Sequence, residues 1–141
     1  WDQTLDGGLV RRAFVNGVFD VLHPGHVSLL RYARSQADWL CVGIDSDRRV
    51  RERKGTDRPL NTQQDRAIML SSLRYVDEVK VFDSDQELEE LVRWAQPHIM
   101  VVGSDYRNRP VIGSRHAKKL EYYERIPEYS STAIIDRMRN R

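Results

Sequence analysis

The sequence predicts an α/β fold, a Rossmann-like doubly wound parallel sheet of about five strands in a single domain. Three observations carry that prediction. RAFVN from Arg12, WLCVGID from Trp39 and IMVVG from Ile99 are short apolar runs without the alternation of a half-exposed strand, as expected for strands buried on both faces. Segments of helical period lie between such runs, so strand and helix alternate, and each strand–helix–strand unit should cross over with a right hand. The length, 141 residues at 40% apolar content, suits one domain with a sizeable core.

Residues 1–11 read as a lead-in without function, and residues 12–141 as the domain. The first strand, Arg12 to Asn16, ends at Gly17, where the chain needs a geometry that a side chain obstructs. HPGH opens the next helix, which continues through Gln36 on a stripe of Val27, Leu30, Ala33 and Ala37, with Leu29 beside it. The second strand is Trp39 to Asp45. Ser46 to Asn61 is the most polar stretch, with Arg48, Arg49, Arg51 and Arg53 read as a solvated face. Within it, Lys54-Gly55 and Arg58-Pro59 read as a glycine-hinged loop able to fold over a ligand. Asn61 and Gln64 read as a capping pair for a helix from Thr62 to about Arg74. A strand over Glu78–Phe82 follows. Ser84 and Glu87 cap a helix from Asp85 to Gln96, with Leu88, Leu91, Val92 and Ala95 inward and Pro97 at its end. After the strand Ile99–Gly103 come the turn Ser104-Asp105-Tyr106, a basic loop with weak helical pattern to Lys119, an edge strand over Leu120–Glu124, and a final helix for which Ser130 is the expected N-cap.

Composition narrows the function. A net charge of +2, without a polybasic segment, argues against nucleic-acid or membrane-surface binding. No apolar run reaches the length of a membrane span and no signal-peptide pattern is present. The one cysteine, Cys41, sits in a strand and reads as a buried thiol, which fits a reducing cytoplasmic setting. Neither GxxxxGK[ST] nor GxGxxG occurs, which argues against kinase chemistry of that type and ordinary dinucleotide binding.

The chemistry concentrates at HPGH. His23 and His26 lie three residues apart at a helix start, where unpaired N–H groups and the positive dipole end suit a phosphate. In open parallel sheets ligands bind beyond the carboxyl ends of strands, so Asp105, after Gly103, belongs to the same edge. Asp105 reads either as a ligand for a substrate hydroxyl, a hydrated cation or a basic side chain, or as a turn cap. Lys54 and Arg125 add cations, and Ser130, Ser131 and Thr132 mark a second helix start. Polyphosphate is the economical ligand.

At these residues a resemblance appears. GVFDVLHPGH, Gly17 to His26, resembles the GxFDxxHxGH pattern of the cytidylyltransferase-like nucleotidyltransferases. KGTDRP resembles the KGxxRP segment of their sugar-nucleotide branch, QDR around Arg66 their EQR segment, and GSDY their GGDY or GHDW turn. RIPEYSST is similar to their RTxGISTT motif, with Glu128 in place of the glycine and Tyr129 in place of the isoleucine. The resemblance implies His23, His26, Lys54 and Arg125 as catalytic, and Gly17, Phe19, Asp20, Gly25, Asp105, Ser130, Ser131 and Thr132 as nucleotide-binding. It also implies Arg58 and Arg66 as substrate-binding, although Arg66 also reads as a surface arginine paired with Asp65 or Asp77. Asp20 is expected to order its loop rather than to bind metal, and no protein metal site is expected. Mg²⁺ is expected on the phosphates, held mostly by substrate and water. The implied reaction joins an NTP to a phosphorylated sugar or polyol in a homodimer. The heptose-1-phosphate adenylyltransferase branch stands nearest and glycerol-3-phosphate cytidylyltransferase is the alternative. With Glu128 in the tail motif, a catalytically silent nucleotide-binding module is a further alternative.

Overall fold

The computed structural model describes residues 4–5, 8–124 and 131–139. Thr4–Leu5 pairs antiparallel with Gly8–Leu9 ahead of the domain. The main sheet has five parallel strands: β1 (Arg12–Gly17), β2 (Trp39–Asp45), β3 (Glu78–Phe82), β4 (Ile99–Gly103) and β5 (Lys119–Tyr123), in the spatial order β3-β2-β1-β4-β5. The chain builds outward from β1 in one direction and then returns to the other side, so the order reverses between β1 and β4. The helices are α1 (Pro24–Ser35), α2 (Asp47–Lys54), α3 (Gln63–Ser71), α4 (Asp85–Ala95) and α5 (Ser131–Arg139).

Alternation along each strand makes two cores, because successive side chains leave opposite faces of a sheet. Ala13, Val15, Leu40, Val42 and Ile44 meet Leu30 and Ala33 of α1 and Leu70 of α3. Phe14, Cys41, Phe82 and Met100 meet Leu88, Val92 and Ala95 of α4. Both faces are covered, which is why the strands read as continuous apolar runs. Gly113 (φ +83) packs so tightly on α4 that a Cβ there would lie 2.7 Å from Val92 Cγ2.

Three local expectations change. The charge run, read as a solvated face with no element assigned, holds a helix: Arg, Glu and Lys are good helix formers, Ser46 Oγ accepts from Arg49 N at 3.2 Å, and α2 runs to Lys54 before Gly55 (φ +105) ends it, with Arg49 buried rather than solvated. The cap of α3 is Thr62, accepting from Asp65 N at 3.2 Å, and the helix stops at Ser71 rather than Arg74. Asn61 is used elsewhere, donating through its side chain and main chain to Asp20. Ser104–Tyr106 is a 3₁₀ turn, and the basic segment after it forms only one further 3₁₀ turn, Ser114–His116. Among the described residues, no helix is long and apolar enough to cross a membrane.

Candidate active site

The carboxyl ends of β1, β2 and β4 open into a cavity of about 430 Å³. Topology places it there, since the crevice at a reversal of strand order is where open parallel sheets bind ligands. Gly17 closes β1, and a Cβ on it would come within 3.0 Å of the Phe19 ring. Phe19 takes a left-handed conformation (φ +53) and sets its ring 5.0 Å from that of His26. Such a backbone costs a non-glycine residue on the order of 1–3 kcal/mol and persists where surrounding structure holds it.

His23 is the N-cap of α1. Its Nδ1 accepts from Gly25 N at 3.1 Å and from His26 N at 3.3 Å. With Nδ1 an acceptor, the network assigns the proton of the neutral ring to Nε2. One helical turn on, His26 stacks on it, with centroids 3.7 Å apart and planes 22° apart. Both histidines and Gly25 line the cavity. Pro24 at the first helical position suits the cap, because the missing N–H is one the helix does not need.

The start of α5 closes on the same loop. Ser131 Oγ donates to Val21 O at 2.9 Å and accepts from Val21 N at 3.3 Å, tying two segments 110 residues apart. Thr132 is exposed and lines the cavity beside it. Lys54, the last residue of α2, and Asp105, on the turn after β4, are both exposed at the cavity wall. Arg125, Ser130, Glu128 and Tyr129 lie outside the described residues.

Asp20, which lines the cavity, and Arg66, which does not, are both held by partners within the protein. The Asp20 side chain is wholly buried, and its carboxylate accepts from Leu60 N and Asn61 N at 2.9 Å each and from Arg58 Nε at 3.3 Å. It therefore clamps the histidine loop to the segment after α2, the ordering role expected for it. Arg58 lines the cavity while bonded to that clamp. Arg66 is neither a surface residue nor a lining one. Its fully buried guanidinium donates to Asn61 O, Val18 O and Asp45 O and pairs with Asp47 at 2.8 Å. An arginine in a helix sequence gives no local sign of that destination.

Sequence reasoning missed Asp45 and Arg49, which line the cavity on the β2 side. Arg49 Nε donates to Asp45 Oδ2 at 3.0 Å and Nη2 to Asp85 Oδ1 at 2.6 Å, and the guanidinium lies over Phe82, 5.3 Å from its centroid. Burial works against charge on Arg49, but the hydrogen bonds to Asp85 and Asp45 outweigh it and hold the guanidinium above its ordinary pKa. The available signal was the i, i+4 spacing of Asp45 and Arg49 just past a strand's carboxyl end.

Among the described residues no group of three or more His, Cys, Asp or Glu is arranged to hold a metal. The cavity is lined by the imidazoles of His23 and His26 and the cations of Arg49, Arg53, Lys54 and Arg58, which suit phosphate oxygens, together with the carboxylates of Asp20, Asp45 and Asp105.

Comparison with known proteins agrees with this fold. A model of the cytidylyltransferase-like family matches residues 14–137. The bifunctional protein HldE of a Nitratiruptor species is 45% identical over 130 residues, which are 92% of this chain and 28% of that protein. HldE of Helicobacter pylori (strain Shi470) is 42% identical over 137 residues, 97% of this chain and 29% of that protein. The chain thus spans less than a third of the length of these curated relatives. Among solved structures, the lipopolysaccharide core biosynthesis protein from Thermoplasma volcanium superposes with a TM-score of 0.64 at 22% identity, covering 81% of this chain and 97% of that one. Pantothenate synthetase from Thermus thermophilus gives 0.56 at 15% identity, covering 82% of this chain and 56% of that one. At those identities the two structures speak for the fold alone. On the match across residues 14–137 and the identity to HldE, the chain belongs to the cytidylyltransferase-like family of nucleotidyltransferases.

Proposed function

We propose that the domain transfers a nucleotidyl group from an NTP to a phosphorylated sugar or polyol, with adenylyl transfer from ATP to heptose 1-phosphate as the specific reaction. The observation that carries the proposal is the His23–His26 pair, stacked at the start of α1 in a cavity that also receives Lys54 and the start of α5. The similarity to bifunctional HldE and the KGTDRP segment favour the sugar-phosphate acceptor.

The chemistry needs no protein nucleophile. An acceptor phosphate oxygen attacks the α-phosphorus and forms a new P–O bond. The bond from that phosphorus to the α,β-bridging oxygen breaks, and pyrophosphate leaves with the electron pair. His23 Nε2–H and the His26 ring stabilise charge on the α-phosphate oxygens and the bridging oxygen, where positioned donors act most strongly on a transition state. Lys54, Arg125 and the start of α5, with Ser130 and Thr132, hold the β- and γ-phosphates, while Ser131 positions that helix against the histidine loop. When bound on the phosphates, Mg²⁺ offsets their charge. A homodimer in the cytoplasm, with no nucleic-acid or membrane partner, is part of the proposal.

The test is pyrophosphate release with ATP, CTP, GTP and UTP, each against heptose 1-phosphate, glycerol 3-phosphate, phosphocholine and FMN in Mg²⁺. Turnover with ATP and heptose 1-phosphate is expected. Turnover with CTP and glycerol 3-phosphate would move the assignment to the cytidylyl branch. Silence across the panel, with NTP still raising the melting temperature, would leave nucleotide binding without transfer.

A further inference from the structure

The β2 side of the cavity carries two polar atoms for which nucleotidyl transfer, as proposed, has no task. Asp45 is 8% exposed and Arg49 6%. Asp45 Oδ2 is spent on Arg49 Nε, and Arg49 Nη2 on Asp85. The bonds to Asp45 Oδ2 and from Arg49 Nε and Nη2 leave Asp45 Oδ1 and Arg49 Nη1 without a hydrogen bond among the described residues, and both side chains line the cavity. A buried ion pair is a weak device for stability, since apolar side chains of similar volume often serve as well. Nor does α2 need this one for its start, which Ser46 already caps.

The pair is also held still. The Asp45 main-chain carbonyl accepts from the buried Arg66 at 2.8 Å. Asp85 grips the outer side of the guanidinium, and the Phe82 ring supports its face. What remains is one acceptor on Asp45 and one donor on Arg49, on two residues already bonded to each other that do not have to reorganise to bind. The local charge decides the ligand. Asp45 and Asp85 balance Arg49 and Arg53, so this ion-pair group is close to neutral, with the cation of Lys54 beyond it at the helix end, and the Asp45 carboxylate faces any anion that approaches the pair. Phosphate is disfavoured there, whereas a pair of neighbouring hydroxyls fits, one donating to Asp45 Oδ1 and the other accepting from Arg49 Nη1.

We infer that Asp45 and Arg49 are specificity-determining residues that read a vicinal diol of the acceptor. This deepens, and rests on, the nucleotidyl-transfer reading. The sheet order puts the pair after β2, on the other side of the β1 loop from Asp105 after β4. The diol is therefore assigned to the acceptor and not to the ribose of the nucleotide.

Titration calorimetry tests this without requiring turnover. The full chain is titrated, with and without a non-hydrolysable ATP analogue, with two pairs of probes: heptose 1-phosphate against its monodeoxy analogues, and glycerol 3-phosphate against 3-hydroxypropyl phosphate. Loss of one hydrogen bond to a charged group should weaken binding by about 10- to 100-fold for a deoxy probe in the wild type. Asp45→Asn and Arg49→Lys should abolish that difference while changing affinity for the ATP analogue less than about twofold. Equal binding of hydroxylated and deoxy probes by the wild type overturns the inference even if both variants fail to fold. So does failure of the wild type to bind any polyol phosphate, or loss of ATP-analogue affinity in place of acceptor affinity, which would assign the diol to the ribose. Diol-dependent binding together with a silent pyrophosphate panel would refute nucleotidyl transfer and leave the diol site standing.

Discussion

Replacing Asp20 by asparagine should cost this small domain a large part of its stability. The carboxylate is wholly buried and accepts three donors: Leu60 N, Asn61 N and Arg58 Nε. Asparagine keeps the shape but offers one acceptor oxygen and two N–H groups. At least one of the two main-chain donors then faces another donor, which costs about 1–3 kcal/mol. Arg58, with a side chain only 9% exposed, loses its charge partner, and removing one member of a buried pair typically costs about 3–5 kcal/mol. The two figures describe overlapping losses, so the total expected is about 3–5 kcal/mol, against roughly 5–15 kcal/mol for a whole domain. At about 3 °C per kcal/mol, the melting temperature should drop by about 9–15 °C. Urea unfolding at pH 7 measures the change directly, and a double-mutant cycle with Arg58→Met should return a coupling above about 1 kcal/mol. An Asp20→Asn protein within about 1 kcal/mol of the wild type would refute the claim that this carboxylate holds the two loops together.

Three further outcomes are expected. His23→Ala should lower kcat/KM by about 10²–10³ in the pyrophosphate assay and lose about 1 kcal/mol with the cap; His23→Asn should recover the stability but not the rate. Burial pushes the Cys41 thiol up to about 12, so the folded protein should resist thiol reagents at pH 8 and react only after denaturant unfolds it. Four carboxyls are held below their ordinary range by arginine hydrogen bonds: Asp57 by Arg139, Asp83 by Arg48 with Ser46, Asp85 by Arg49, and Glu89 by Arg115 with His116. Their folded pKa values lie below the unfolded ones, so the stabilisation is complete above about pH 5 and is lost as pH falls through the folded values. The urea midpoint should hold between pH 7 and 5 and decline below about 4, with a shallower decline in Asp85→Asn.

Much of this protein is legible in local sequence. The buried strands, the α1 and α4 stripes, the Ser84 cap and the HPGH turn are short-range patterns, because strand burial, helical period and capping are set by residues a few positions apart. The histidines were legible for the same reason, since two imidazoles at a helix start are a local arrangement. The charge run shows where this stops. Arg48, Arg49, Arg51 and Arg53 look alike in sequence, yet Arg49 alone among them is buried. Its partners include Asp85, 36 residues away, and only the parallel pairing of β2 with β3 brings the start of α4 beside α2.

Arg66 and Asp20 mark the same boundary. The carbonyls of Val18 and Asp45 that Arg66 holds lie 48 and 21 residues away. Asp20 meets Leu60 and Asn61 some 40 residues on. From sequence a buried charge and an exposed one are the same letter, and the difference lies in which main-chain groups the fold leaves without partners beside it. Local sequence therefore determined most of the strands and helices, their order and the histidine turn. The tertiary structure alone decided which charged side chains face the cavity and which are consumed in building it, because burying a charge requires partners that only long-range folding supplies.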